Sequence, residues 1–310
     1  MTRQAAPWWT ELPPAAGAAV MATAIISVGL HLNGAEALSW AWLALATVLW
    51  CLLARDFVRR LLWERDRWSH EADTPPALTA VAATTVLGTR FSALGQHAVA
   101  CALLALAAAI WPGLLIAVVR HWHRRMPGAA FLVCVATQGL AVLAATLSLA
   151  GEGDWLARAA LVALVVGLIL YVAALGHFDF RQLRAGAGDQ WIGGGALAIS
   201  ALAASRLALS PVWTGAAHTA LGTTTLVLLG LSLAWCAVLL VAETRRPRPG
   251  YDIRRWSTVF PVGMTAVAAL STAAATEIDW LHTLGQVLLW IAVVLWLLTL
   301  IGFLRDIGTR

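Results

Sequence analysis

Two arginines, Arg90 and Arg206, lie inside apolar stretches of this 310-residue chain, each directly after a short hydroxyl residue, Thr89 and Ser205. A charge in such a place is costly and marks a functional candidate. One reading is a positive belt near the mouth of a path, drawing anions by its field. The other is a pair of side chains snorkelling to an interface. No Asp or Glu falls near the middle of an apolar run. Asp56 and Glu243 stand at run ends beside Arg55 and Arg245, where surface ion pairing accounts for them. No carboxylate relay for protons and no acidic Na⁺ site is therefore available, which argues against cation transport.

Other chemistries lack their residues. The eight His make no matched pair at depth for a b-type haem, and His121-x-His123 alone is a weak zinc signal. Cys51, Cys101, Cys134 and Cys236 stand singly in apolar runs as small fillers. Every basic residue is Arg, so the usual Lys-bearing phosphate loop is excluded. No Ser/His/Asp spacing supports a triad. No catalytic residue, cofactor or metal is expected, and the chain is not read as an enzyme.

An apolar plug is another way to control a path. Phe260 precedes Pro261, which is expected to force the backbone away from regular helix, and it opens a stretch walled by Ala, Gly and Thr. It reads either as a block across a channel or as a ring packed at the rim. Hydroxyls on the same class of stretch (Thr23, Ser27, Thr84, Thr137, Ser200, Thr265 and Ser271) either wet a narrow path or bond back to their own helices.

The elements that must position these residues follow from composition. The chain is 60% hydrophobic and 12% charged, against about 25% charged for a soluble domain. That excludes an ordinary soluble enzyme, a disordered chain and a nucleic-acid binder. A span needs about 20 residues. Ten are expected, at 15–34, 37–56, 77–95, 97–119, 128–150, 156–176, 191–209, 217–241, 258–276 and 281–304. Arg clusters after the even spans and at the termini, while the opposite connections carry Glu36, Glu152, Asp154, Glu277 and Asp279. Positive charge stays in the cytoplasm. Hence residues 1–14 and 305–310 are expected as short cytoplasmic tails of a single transmembrane domain, 1–310, in a bacterial cytoplasmic membrane. Trp8, Trp9, Trp40, Trp42, Trp63 and Trp68 are among those near predicted ends, where indoles favour the headgroup level.

Odd and even spans differ. The odd ones are rich in Ala, Gly, Ser and Thr, with GGGALAISALAAS and GMTAVAALSTAAAT as extremes; the tenth reads LLWIAVVLWLLTLIGF. Small residues allow close approach, while bulky Leu, Val, Ile and Trp suit a lipid-facing surface. The odd spans also open alike, at Pro13-Pro14, Pro75-Pro76, Pro127-Gly128, Gly193-Gly194-Gly195 and Phe260-Pro261. Trp9 before Leu12-Pro13 matches Trp256 before Phe260-Pro261. The expected fold is all-α and integral to the membrane: ten helices as five hairpins in a parallel repeat, with an inner ring of odd helices around a central pore.

The segments WSTVFPVGMTAVAALS (Trp256–Ser271), AAGAAVMATAIISVGLHL (Ala15–Leu32), ATQGLAVLAATLS (Ala136–Ser148) and DQWIGGGALAISAL (Asp189–Leu202) together resemble the tellurite-resistance/dicarboxylate transporter family. That family includes tellurite-resistance permeases, fungal malate permeases and sulfite pumps, and the slow anion channels of plant guard cells. The resemblance implies five hairpins around a pore in each subunit of a homotrimer, small anions as cargo and a Phe gate matched by Phe260. The tails are too short for the phosphorylation control of the plant channels. The expected function is an anion channel or permease, with lipid and small anions as partners. The alternatives are a proton-linked secondary transporter of a C4-dicarboxylate, sulfite or tellurite, and, less favoured, a membrane-embedded enzyme or haem protein.

Overall fold

The computed structural model describes residues 14–248 and 250–308. The expectations for Arg3, Trp8, Trp9, Pro13 and Arg310 lie outside them. The described chain forms twelve α-helices: α1 (Gly17–Leu32), α2 (Glu36–Trp63), α3 (Arg65–Ala72), α4 (Thr79–Ala93), α5 (His97–Arg120), α6 (Leu132–Leu149), α7 (Asp154–His177), α8 (Gln182–Ala185), α9 (Ile192–Ala208), α10 (Gly215–Arg245), α11 (Trp256–Thr276) and α12 (Asp279–Gly308). No strand occurs among the described residues. Ten of these helices fall on the ten apolar runs. Eight of the described helices are long and apolar enough to cross a membrane. The two remaining, α1 and α4, have 16 and 15 residues. The outer helices overrun the expected ends: α12 continues to Gly308, so Arg305 lies on a helix rather than in a tail.

Burial separates two classes. In α6, α9 and α11 between 83% and 94% of the spanning stretch is buried, against 17–28% in α2, α5, α7, α10 and α12. Most of α1 and α4 is buried as well. The five buried helices form a closed cycle, with α1 beside α4, α4 beside α6, α6 beside α9, α9 beside α11 and α11 beside α1. Each exposed helix packs on the outside against the buried helix before it and the one after it.

Glycine places the seams of this cycle. A Cβ at Gly17 would lie 2.1 Å from Thr79 Oγ1, and one at Gly139 2.2 Å from Thr85 Oγ1. Those are the α1–α4 and α4–α6 contacts. Gly195 leaves room for the Pro261 ring on α11, while Gly193 and Gly194 lie against the Trp235 indole of α10. The triple glycine is thus spent on two neighbours, which is close packing by absent side chains.

The repeat shows in the connections. Each buried helix is entered through a short 3₁₀ turn: Pro14–Ala16, Pro75–Leu78, Gly128–Phe131, Asp189–Trp191 and Ile253–Arg255. At the other end three turns are built alike. Gly34, Gly95 and Gly151 take positive φ, and the amides of Ala35, Gln96 and Glu152 reach back five residues to the carbonyls of Leu30, Phe91 and Leu147. This pairing satisfies carbonyls that the helix end leaves open, and glycine takes the left-handed position without a Cβ clash. Pro261 does not break its helix: α11 runs through it from Trp256 to Thr276. The expectation of irregular backbone at Phe260 is not met. Pro261 stands in the second turn and removes only a single amide donor.

Candidate functional site

On the axis of the cycle lies a void of about 10 Å³, lined by Ile25 and Val28 of α1, Val86 and Thr89 of α4, Gly139 and Val142 of α6, Ile199 and Leu202 of α9, and Met264 of α11. All five buried helices contribute. The void holds about one water by volume, and its collar is almost wholly aliphatic. The Thr89 hydroxyl donates to the Thr85 carbonyl at 2.9 Å and offers the void no free donor. Phe260 precedes Met264 by four residues, so both share a face of α11. Phe260 lies one turn nearer the Arg-rich end and is buried. Phe260 is not among the residues lining the void, and the aliphatic collar around the void was not singled out by sequence reasoning. The signal was present as periodicity, since Phe260, Met264 and Val267 follow one another at i, i+4 and i+7.

The expected wetting hydroxyls lie elsewhere. None of Thr23, Ser27, Thr84, Thr137, Ser200, Thr265 and Ser271 lines the void. Thr23, Thr84 and Thr137 bond back to the carbonyls of Ala19, Ala80 and Val133. The same three accept indole N–H bonds from Trp296 at 3.0 Å, Trp50 at 2.9 Å and Trp111 at 3.0 Å. Each bond joins a buried helix to an outer one. Thr265 follows the pattern with Ser232 of α10, Ser200 bonds Ala196, and Ser271 bonds Ser205 across α9 and α11. Thr23, Thr84, Thr137, Ser200 and Thr265 bond back to their own helices, while Ser27 and Ser271 bond neighbouring ones. Trp50, Trp111 and Trp296, on spans expected to turn their bulk to lipid, turn inward instead, because a buried indole N–H needs an acceptor.

The two arginines part company. Arg90 is fully buried and donates from Nε to Ser39 Oγ at 2.9 Å and from an Nη to Glu36 Oε2 at 3.1 Å. Glu36 also bonds His31, and Ser39 and Ser27 exchange hydroxyl–carbonyl bonds across α1 and α2 at 2.7 Å. Arg90 is thus neither snorkelling nor on the void. It locks α4 to the α1–α2 turn, and its charge is largely offset by Glu36. Arg206 is half-buried with no hydrogen bond to its Nε.

At the opposite, Arg-rich end, Asp56 pairs with Arg60 at 2.6 Å, and Glu243 with Arg248 and with Arg255 at 3.2 Å. Their partners are not the neighbouring Arg55 and Arg245 that sequence suggested. Asp252 caps the turn into α11, accepting from the Arg254 amide at 2.8 Å and guanidinium at 2.9 Å. Those bonds hold its carboxyl below the usual range. The turn so fixed sets where Trp256, and four residues on Phe260, enter the bundle. No group of three or more metal-ligating side chains occurs among the described residues.

The small axial void is thus walled by aliphatic side chains of all five buried helices. A family model described as voltage-dependent anion channel matches residues 11–304. The chain belongs to that family. The tellurite-resistance/dicarboxylate transporter resemblance names the same group. No curated protein matches the chain. Membership in the voltage-dependent anion channel family makes this a multi-pass membrane protein of a channel and permease class whose substrates are small anions.

Proposed function

We propose that the chain is an anion channel or permease in which all ten apolar helices cross the bilayer as five hairpins. The five inner helices surround a path for small anions, closed by Phe260 and by the aliphatic collar one turn beyond it. Pro261, next to Phe260, packs against Gly195. One observation supports this reading: the axial void is lined from all five inner helices, with Met264 from α11, and Phe260 stands one helical turn before Met264. Dewetting of such a neck bars ions until side chains move. Arg206, with the weaker net field of the Arg90–Glu36 pair, raises anion concentration at the mouth opposite the Arg-rich end. The Arg bias supports cytoplasmic termini, and the membrane proposed is a bacterial cytoplasmic one. Family resemblance adds a homotrimeric assembly, which the light-scattering mass of the purified protein tests.

The deciding experiment is flux of chloride, nitrate, sulfite and malate from proteoliposomes, for the native protein and Phe260→Ala. Flux in the variant with an order of selectivity supports the path. No flux of any anion in either protein, or in Phe260→Ala combined with Ile199→Ala, overturns it. A proton-linked carrier is the second reading, favoured by the hydrogen-bonded chain His31–Glu36–Arg90 at one end of the ring. Flux that follows a pH gradient at fixed membrane potential selects the carrier. Flux set by the anion's own electrochemical potential selects the channel.

A further inference from the structure

Outside the inner ring lies a second, larger cavity of about 310 Å³. It sits between α2 and α5, with α4 and the start of α1 as its back wall and α3 as its floor. Val58 and Leu106, 48% and 44% exposed, stand at its edge, so it opens sideways between two helices that are mostly exposed along their length. In a membrane-spanning bundle that opening faces acyl chains.

The lining decides what can fill it. Leu53, Phe57, Ala80, Ala83 and Ile110 give apolar walls. The Thr84 hydroxyl is already engaged by the Trp50 indole and the Ala80 carbonyl. Water entering the deep part would find too few partners, since a buried water needs two to four. At the Arg-rich end the character changes. Arg60, 5% exposed, pairs with Asp56 and Glu71; Arg67 bonds Glu71 at 3.0 Å; and the Trp68 indole N–H is buried with no acceptor. The polar rim therefore sits at the end of the bundle and the apolar depth toward its middle. A bilayer lipid has the same polarity in the same direction. The rim offers both carboxylates and guanidinium groups, which complements a zwitterionic headgroup better than a purely anionic one.

We propose that this cavity is a binding site for one acyl chain of a membrane phospholipid, whose ester and headgroup lie at the Arg60–Glu71–Trp68 rim. The volume is at the low end of the roughly 300–1,000 Å³ of small-molecule sites, enough for part of a single chain and too little for a whole lipid. The chain would rest against Gly17 and Thr79, where α1 and α4 meet. The occupant thus touches the inner ring from behind, whatever the axis conducts.

The test uses the full chain in vesicles of phosphatidylethanolamine and phosphatidylglycerol doped with a phospholipid bearing a diazirine on its acyl chain. After photolysis, adducts are mapped by peptide mass spectrometry. Adducts are expected on residues 53–57, 80–84 and 106–110, and above the level on the outer helices α7 and α10. Ala83→Phe fills the cavity and should abolish them, and Ala54→Phe does the same from the α2 side should the first variant fold poorly. Labelling spread evenly over the outer helices, or unchanged by both fillings, overturns the site. Cross-linking of two copies through this face in place of lipid adducts overturns it too.

Discussion

Truncating Phe260 alone should open the proposed path only slightly, because the proposed closure has two layers. Phe260 occupies one turn of α11. The collar of Ile25, Val86, Ile199 and Met264 occupies the next, around a void of only about 10 Å³. Two barriers crossed in succession add as resistances. If they are comparable, removing one halves the total, so Phe260→Ala raises anion flux by about twofold. Removing both exposes the full gain, and each 1.4 kcal/mol of barrier is about tenfold in rate. Phe260→Ala combined with Ile199→Ala should therefore exceed the product of the two single effects. The assay is chloride efflux from proteoliposomes at fixed protein density, with single-channel current as a second readout. The Phe260 truncation removes a buried ring at a cost of about 3–5 kcal/mol, so each variant is first checked for a monodisperse profile. A tenfold or larger rise in Phe260→Ala alone would show that the collar is no barrier. No rise in the double variant would show that the axis is not the path.

The other predictions concern charge and packing. Arg206→Gln should lower flux at low salt more than Arg90→Gln, because Glu36 already offsets Arg90, and the difference should shrink at high salt as the field is screened; equal losses at all salt concentrations would refute the role of the field. Glu36→Gln should destabilise the protein by about 1–3 kcal/mol in thermal unfolding by leaving a buried guanidinium without its counter-charge, with Arg90→Met in the same chain recovering part of the loss. Gly139→Ala should cost about 1–3 kcal/mol, since its Cβ meets Thr85 Oγ1, and Thr85→Ala should rescue it. Trp111→Phe should lower the melting temperature through loss of a bond worth about 0.6 kcal/mol in a membrane protein, while Trp290→Phe, on an exposed side chain, should leave it unchanged.

Much of the architecture was legible because it depends on one-dimensional signals. Apolar runs locate the helices, as the match of 97–119 to His97–Arg120 and of 191–209 to Ile192–Ala208 illustrates. The contrast between small and bulky runs separated buried helices from exposed ones, since side-chain volume limits how closely backbones approach. The candidate site was less legible. Threonine on a small-residue helix reads the same from either face, and only the positions of Trp50, Trp111 and Trp296 on neighbouring helices turn Thr84, Thr137 and Thr23 away from the axis. Pairing of Asp56 with Arg60 rather than Arg55 likewise needs helical geometry, because adjacent residues on a helix point apart while those four apart meet.

The amino-acid sequence on its own determined that this chain is a helical membrane protein of alternating inner and outer segments with Phe260 at the entry of the smallest-walled one. Hydropathy, charge bias and residue volume are properties of the chain itself. Which side chains line the axial void, that Arg90 is tied to Glu36 and Ser39, and that an apolar cavity opens between α2 and α5 were decided by tertiary structure alone. Those facts concern the direction of side chains across helices far apart in the chain, and direction exists only once the helices have packed.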